Sequence, residues 1–474
     1  MRCIIQLFNR DNRKLFITAV DFDGAFDRVR RSTLLRKLLL FGASSTFVYC
    51  LANLYSVSEN TIYGNGESVI YLLYSGIKQG LPLSPYLFLF YIDDVFKYLD
   101  DIFGQNGDVF YRLHILIHAD DANLLATSRE LMVRKITSLL QFCKVNSILL
   151  QASKCWFTVI NGGPEDISSM KIGNNVPINY AEHLEILGSH ISNSLMLDLQ
   201  LHFKKRFKNV IKYFNYIKMN KIAPISVKLK VMKSCVVTTL LYNCETFGYG
   251  IPDGLEEIYF KMLRAALGVR SNCPKLLLLI ESGFLPIKCL IELRQLKFFR
   301  RFKKSLQPNG TRSAIFQHLL ANKTSFIDHY VQLDSKYASG EDLVAKYRND
   351  LMEKIRNFGR DKEKHYKYWI YLQLNPNLAK STFLNRIDAV GKGIVKFRLG
   401  SHQLKIETGR WSRTPRENRL CVTCGELGDE EHLLYNCADI MRDDLTDIPR
   451  PLSSLWEYQG VNRLFKRIMD AEYV

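Results

Sequence analysis

His114-Ile115-Leu116-Ile117-His118-Ala119-Asp120-Asp121-Ala122-Asn123-Leu124-Leu125-Ala126 is the stretch on which the fold turns. Two short apolar runs, His114 to His118 and Ala122 to Ala126, flank Ala119-Asp120-Asp121, a pattern that predicts a β-hairpin with carboxylates at its tip. A pair of aspartates is a weak signal alone, and its weight here comes from a third acid. Lys14 to Asp21, rich in Phe, Ile, Thr and Val, predicts a strand that ends on Asp21. Hard Mg²⁺ ions take oxygen ligands. Aspartates brought together from separate strands are what a pair of such ions, roughly 3.5 to 4 Å apart, requires for in-line displacement at phosphorus.

The surrounding composition narrows the class. The chain has 474 residues, 47% of them apolar, enough for a sizeable core and two or three domains. Lysine and arginine number 65 against 47 acidic residues, a net charge of +18 with a pI near 9.3, which favours a polyanionic partner, either nucleic acid or an acidic membrane surface. Apolar runs such as Leu276 to Ile280 are soon broken, so no membrane helix is expected. The start, Met1-Arg2-Cys3-Ile4-Ile5-Gln6, has neither a long apolar region nor a small-residue cleavage site, and an intracellular location, cytoplasmic or nuclear, is expected. Most of the 11 cysteines are scattered, which fits reduced thiols better than a disulfide framework; Cys421, Cys424 and Cys437 stand together.

Before residue 195, strand-like and helix-like segments alternate. Ser32 to Tyr55 reads as two helices capped by Ser32 and by Ser44 or Ser45, Gly64-Asn65-Gly66 as a turn between β-prone runs, and Pro82 to Asp101 as helical. Tyr91-Ile92-Asp93-Asp94 also pairs two acids, but its apolar helical context places it away from a strand tip. Asp23 would share a face with Asp21 only if the strand ran on past Asp21, and Asp27 is a candidate only as a neighbour. Beyond residue 195, helical patterns dominate to about residue 390. Leu199 to Cys244 holds no acidic residue, and Lys204, Lys205, Arg206 and Lys208 interleave with aromatics such as Phe203 and Phe207. On pattern alone this segment is either an amphipathic helix with a solvated basic face or a nucleic-acid groove.

Five blocks in order carry a family resemblance. Phe16-Ile17-Thr18-Ala19-Val20-Asp21-Phe22-Asp23-Gly24-Ala25-Phe26-Asp27 resembles motif A of non-LTR retrotransposon reverse transcriptases. Ser75-Gly76-Ile77-Lys78-Gln79-Gly80-Leu81-Pro82-Leu83-Ser84-Pro85-Tyr86-Leu87-Phe88 is similar to their motif B, and His118-Ala119-Asp120-Asp121 to motif C. Lys154, within Asn146 to Phe157, resembles the motif D lysine, and His183 to Ile191, with Leu187-Gly188, the motif E primer grip. The resemblance implies an α+β palm, a small antiparallel sheet backed by helices, followed by a mainly helical thumb and C-terminal region. It implies Asp21, Asp120 and Asp121 as ligands of two Mg²⁺ ions, and Lys154 as the group that protonates or neutralises the leaving pyrophosphate. Phe22, Phe26, Gln79 and Gly80 would line the nucleotide pocket, Phe26 excluding a ribose 2′-hydroxyl and Gly80 allowing close backbone approach. Leu187 and Gly188, with Lys204, Lys205, Arg206 and Lys208, would contact nucleic acid. The expected partners are an RNA template, a DNA primer and deoxynucleoside triphosphates.

Two features depart from the family pattern. His118 stands where an aromatic residue is usual. Met1 lies only 20 residues before Asp21, which leaves no room for fingers blocks or an upstream endonuclease, so a truncated element with impaired polymerisation is expected. The alternative is a non-catalytic nucleic-acid-binding relic of the same kind of element. A viral RNA-dependent RNA polymerase fits less well, because alanine rather than glycine precedes the paired aspartates and Phe26 opposes ribonucleotides.

Cys421-x2-Cys424-x7-His432-x4-Cys437 offers three thiolates and an imidazole at spacings suited to one tetrahedral structural Zn²⁺. Phe397-Arg398-Leu399-Gly400-Ser401-His402 and Glu407-Thr408-Gly409-Arg410-Trp411, just before it, also resemble the C-terminal region of these retrotransposon proteins. The expected division is a palm over 1–195, a thumb over 196–290, a helical connector over 291–415, a zinc knuckle over 416–445 and a tail over 446–474.

Overall fold

A computed structural model of the chain describes residues 1–56, 58–104, 113–172, 176–308, 310–322, 325–440 and 448–473. The last residues of the segment expected for the knuckle, from 441, lie outside that description. The fold is α+β and divides into two compact units, Met1–His202 with Lys304–His329, and Phe203–Lys303 with Tyr330–Val474.

In the first unit the elements run α1 (Arg2–Arg10), β1 (Leu15–Asp23), α2 (Arg31–Leu40), α3 (Ser45–Ser56), β2 (Glu59–Gly64) and β3 (Glu67–Leu72). Then come α4 (Ser84–Ile92), α5 (Asp94–Phe103), β4 (Ile115–His118), β5 (Asp121–Ala126), α6 (Arg129–Val145), β6 (Leu149–Leu150) and β7 (Trp156–Ile160). Strands β8 (Met170–Ile172), β9 (Val176–Tyr180), β10 (Leu184–Ile186) and β11 (Ser189–Ile191) complete it. The main sheet has the order β4-β5-β1-β7-β9-β8, with β6 paired to the end of β1.

Strand β1 is central, and its two faces meet different neighbours. Phe16, Val20 and Phe22 point into a core with Leu87, Phe88 and Tyr91 of α4 and Met132, Ile136 and Leu139 of α6. Leu15 and Ile17 point the other way, under Ile4, Ile5 and Phe8 of α1 and Leu319 of the helix Thr311–Ala321. Side chains alternate along a strand, so Asp21 and Asp23 share the face of Leu15 and Ile17. At that end of the strand both aspartates are half-exposed. The strand does continue past Asp21, and Asp23 does share its face.

Local chemistry accounts for the turns. Asn65 (φ 51°) and Gly66 (φ 84°) close the β2–β3 hairpin, two left-handed residues as a type I′ turn needs. The N-cap of α3 is Ser44, whose Oγ accepts from Phe47 N–H at 3.2 Å, but Ser32 caps nothing. Helix α2 begins one residue earlier, at Arg31, behind an extended Arg30. Asp93 and Asp94 lie at the junction of α4 and α5, where Asp94 pairs with Lys37 at 2.7 Å.

The second unit is mainly helical. Its core gathers Tyr366, Ile370, Phe397, Leu433, Leu434, Cys437, Leu464 and Phe465. A buried ion pair joins Arg398 to Glu281, and the Tyr371 hydroxyl donates to the same carboxylate at 2.8 Å. Among the described residues no helix is long and apolar enough to cross a membrane.

Candidate active site

Register brings the three expected acids together. Antiparallel pairing sets Asp21 of β1 directly across from Asp121 of β5, and His118 of β4 pairs with Asp121 on its other side. Asp120 occupies the two-residue link between β4 and β5 beside Ala119, which is held at φ 52°. Partial burial, then the charges of Asp120 and Asp21, raise the Asp121 carboxyl above the ordinary aspartate value, and His118 opposes them. Like charges that raise one another in this way would have their repulsion relieved by a multivalent cation.

Lys154 stands at the same place. Its segment, Ala152–Lys154, is anchored by Gln151 N–H donating to Asp21 C=O at 2.9 Å, and Lys154 Nζ lies 3.7 Å from Asp21 Oδ2. Asp23 is engaged otherwise, paired with Arg28 at 2.9 Å.

The loop before α4 docks against the turn after β1. Gly76 N–H donates to Val29 C=O and Ile77 N–H to Phe26 C=O, each at 2.9 Å. A side chain at Gly76 would meet Asp27 C=O at 2.8 Å, so only glycine permits this approach. Gln79 Nε2 lies 3.3 Å from both Asp27 carboxylate oxygens, and Gly80 (φ 86°) faces open space. Phe26 is half-buried, 5.2 Å from the Phe88 ring. Phe22 is buried against Phe88, on the face away from Asp21, so its ring does not share the side of the strand that carries that acid.

Sequence reading missed Arg31. Its guanidinium donates to the carbonyls of Tyr55, Leu73, Ser75 and Gly76 at 2.8–3.1 Å, fixing the loop that holds Gln79 and Gly80. Nothing in the sequence separates this arginine from its exposed neighbour Arg30, because its acceptors are all backbone.

Leu187 (φ 49°) and Gly188 (φ 71°) form the tip of the β10–β11 hairpin, with Leu187 exposed. In the second unit Lys204, Lys205 and Lys208 are exposed on the helix Leu195–Met219, whereas the Arg206 guanidinium packs 4.1 Å over the Tyr242 ring.

Cys421, Cys424, His432 and Cys437 converge, with one ligand atom from each within 4.8 Å of all the others. Cys421 and Cys437 sulfurs are 3.9 Å apart. Two thiolates on one tetrahedral zinc, each at about 2.3 Å, stand roughly 3.8 Å apart. His432 Nδ1 is held by Glu426 at 3.0 Å, and its buried Nε2 has no hydrogen-bond partner among the described residues, the arrangement of a metal-binding imidazole oriented by a carboxylate. Burial works to raise the Cys421 thiol, but the backbone of Cys424 and Thr423, with His432 and Cys437 beside it, brings it down to about 7. Burial pushes Cys437 up to about 12. The Cys₃His set is compatible with zinc. Glu426, the orienting residue, lay unread between the second cysteine and the histidine.

Residues 2–191 match the family model described as reverse transcriptase (RNA-dependent DNA polymerase). That segment is a reverse transcriptase domain. It is similar to the Pol polyprotein of the type-2 retrotransposable element R2DM of Drosophila melanogaster, 29% identical over 155 residues, 32% of this chain and 14% of the relative. The Pol polyprotein of the type-1 element R2 of Popillia japonica is 29% identical over 149 residues, 31% of this chain and 21% of the relative. These similarities are consistent with a non-LTR reverse transcriptase, and the chain spans only a small part of the length of these relatives. A telomerase structure from Candida albicans aligns over 77% of this chain and 53% of its own with TM-score 0.31 and 13% identity, a likeness too slight to add to the reading.

Proposed function

We propose that the chain is an RNA-directed DNA polymerase that extends a DNA primer along an RNA template. The observation that carries this reading is the register of β1 against β5, which sets Asp21 opposite Asp121 with Asp120 at the adjoining tip. Two divalent cations, when bound by these acids, would activate the primer 3′-hydroxyl and stabilise the leaving pyrophosphate. The protein's own contribution is positional. Lys154, beside Asp21, supplies a cation and a proton on the leaving-group side, and the Gly76–Gly80 loop forms one wall of the nucleotide pocket. Phe26, braced by Phe88, occupies the place where a ribose 2′-hydroxyl would fall. Leu187-Gly188 and the exposed lysines of Leu195–Met219 contact the nucleic acid, and the thumb spans 196–290.

Primer extension on poly(rA)/oligo(dT) with Mg²⁺ tests the reading. Extension that falls at least about a hundredfold in Asp120→Asn and in Asp21→Asn, with primer-template affinity retained, is the expected outcome. Equal extension by these variants, or none by the parent chain, would remove it. We also propose that Cys421, Cys424, His432 and Cys437 hold one structural zinc, which contributes folding energy to a short polar segment. Metal analysis should find one zinc per chain, lost in Cys424→Ser.

A further inference from the structure

The helix Ala389–Arg398 carries three cations, and among the described residues only one is neutralised by a carboxylate. Arg398 reaches both oxygens of Glu281, at 3.0 and 3.1 Å. Lys392 and Lys396, one turn apart on that helix, have no carboxylate partner among the described residues; Lys392 Nζ donates to the Lys221 carbonyl at 2.6 Å. Lys396 lines a cleft of about 610 Å³ together with Arg270, Ser401 and Gln403, and Glu472 is the acidic residue of its lining. Arg270 is likewise unmatched by a carboxylate among the described residues. Its backbone N–H donates to Ser401 Oγ at 3.0 Å, and its guanidinium donates to His402 C=O at 3.3 Å and lies 4.4 Å over the Trp411 ring. Burial, then Arg270 and Lys392, push the Lys396 ammonium down, and burial with Lys392 does the same to Lys228 nearby.

Like charges at i and i+4 destabilise a helix, and half-burying them adds to the cost. The helix bears that cost at Lys392 and Lys396 although it satisfies Arg398 two residues later. An arrangement of this kind is complementary to an anion with several negative groups. Trp411, 52% exposed, lies outside the cleft's own lining but against the Arg270 guanidinium that lines it, and offers an aromatic surface of the kind unpaired bases stack on.

We propose that this cleft binds the phosphate backbone of a single-stranded nucleic acid, with a base stacked on Trp411. The choice of nucleic acid over another polyanion rests on the polymerase reading of the first unit. The site itself lies entirely in the second.

The test uses the full chain, a fluorescent mixed-sequence single-stranded RNA and the matching DNA, both containing 4-thio bases, at several salt concentrations. Lys392→Gln with Lys396→Gln should weaken binding about tenfold and make the log-log salt dependence shallower by roughly 1.4, at about 0.7 for each phosphate no longer neutralised. Arg270→Gln should act in the same direction. Thermal unfolding reports whether each variant is folded, and photo-crosslinks should map to peptides spanning residues 392–411. Unchanged affinity and slope in both variants, crosslinks confined elsewhere, or equal displacement by inorganic tripolyphosphate would overturn the proposal. Parallel primer extension separates the two readings. A chain that extends no primer yet binds through Lys396 loses the polymerase reading and keeps this one.

Discussion

Ala119 and Lys135 show how single residues bear the cost of this site. Ala119 holds a left-handed φ of 52°, a conformation that costs an L-residue about 1–2 kcal/mol and that presents Asp120 at the hairpin tip. Ala119→Gly removes the steric cost and adds chain entropy to the unfolded state, about 0.5–1 kcal/mol in the other direction. A net gain of about 0.5–1 kcal/mol in urea-unfolding free energy is expected, and a loss would show that the methyl group packs favourably. Lys135 lies beneath the same strand pair, its ammonium buried and donating to Leu125 C=O at 2.6 Å, with burial lowering its pKa to about 8. An exposed lysine titrates near 10.5, so between about pH 8 and 10.5 the unfolded chain binds more protons than the folded one. Folded-state stability attributable to this group therefore rises with pH across that window, by an amount on the order of 3 kcal/mol. The difference between the parent and Lys135→Met unfolding free energies, measured at pH 7.5 and pH 10, should move in the parent's favour by that order; a constant difference would place the ammonium in water.

At the scale of elements, the loop before α4 depends on two glycines of similar backbone and different surroundings. Gly76 and Gly80 have φ of 83° and 86°, but only Gly76 lies against backbone, 2.8 Å from Asp27 C=O to an added methyl. Gly80→Ala should cost about 1–2 kcal/mol from backbone strain alone, and Gly76→Ala roughly 3 or more, because the loop must also leave the turn after β1. Equal losses in urea unfolding would mean that the loop is not docked. The same loop marks where sequence reading stops. The β4–β5 hairpin was legible because alternation and a short link between apolar runs are local signals, and Asp21 was legible as an acid closing an apolar run, although the strand runs on to Asp23. That β1 lies between β5 and β7 was not legible, since pairing partners leave no local mark. Ser32 was misread because a capping residue type next to a helical pattern looks the same two places too late. Gln79 was read for a nucleotide, and its amide is directed at Asp27. The helices from Ile287–Lys304 to Tyr366–Leu374 were readable as helices, but the burial of Glu281 with Arg398 depends on residues more than a hundred positions apart.

For the whole molecule, a net charge of +18 is a statement about partners, and its distribution decides what can be measured. Two basic surfaces belong to the second unit: the exposed Lys204, Lys205 and Lys208 on Leu195–Met219, and the cleft of Arg270 and Lys396. The charges of the first are spaced along a solvated helix, and those of the second are forced together. If both meet phosphates of one bound strand at separate places, each contributes its own released counterions and their losses add. Replacing Lys204, Lys205 and Lys208 by alanine should flatten the log-log salt slope for a single-stranded oligonucleotide by up to about 2, at roughly 0.7 per phosphate. Combining these changes with Lys392→Gln and Lys396→Gln should flatten it by the sum of the two effects. The binding free energies should also add to within about 0.5 kcal/mol. A combined loss no larger than the greater single loss would show that both surfaces serve the same phosphates. A helix-only effect would leave the cleft without a ligand on the strand.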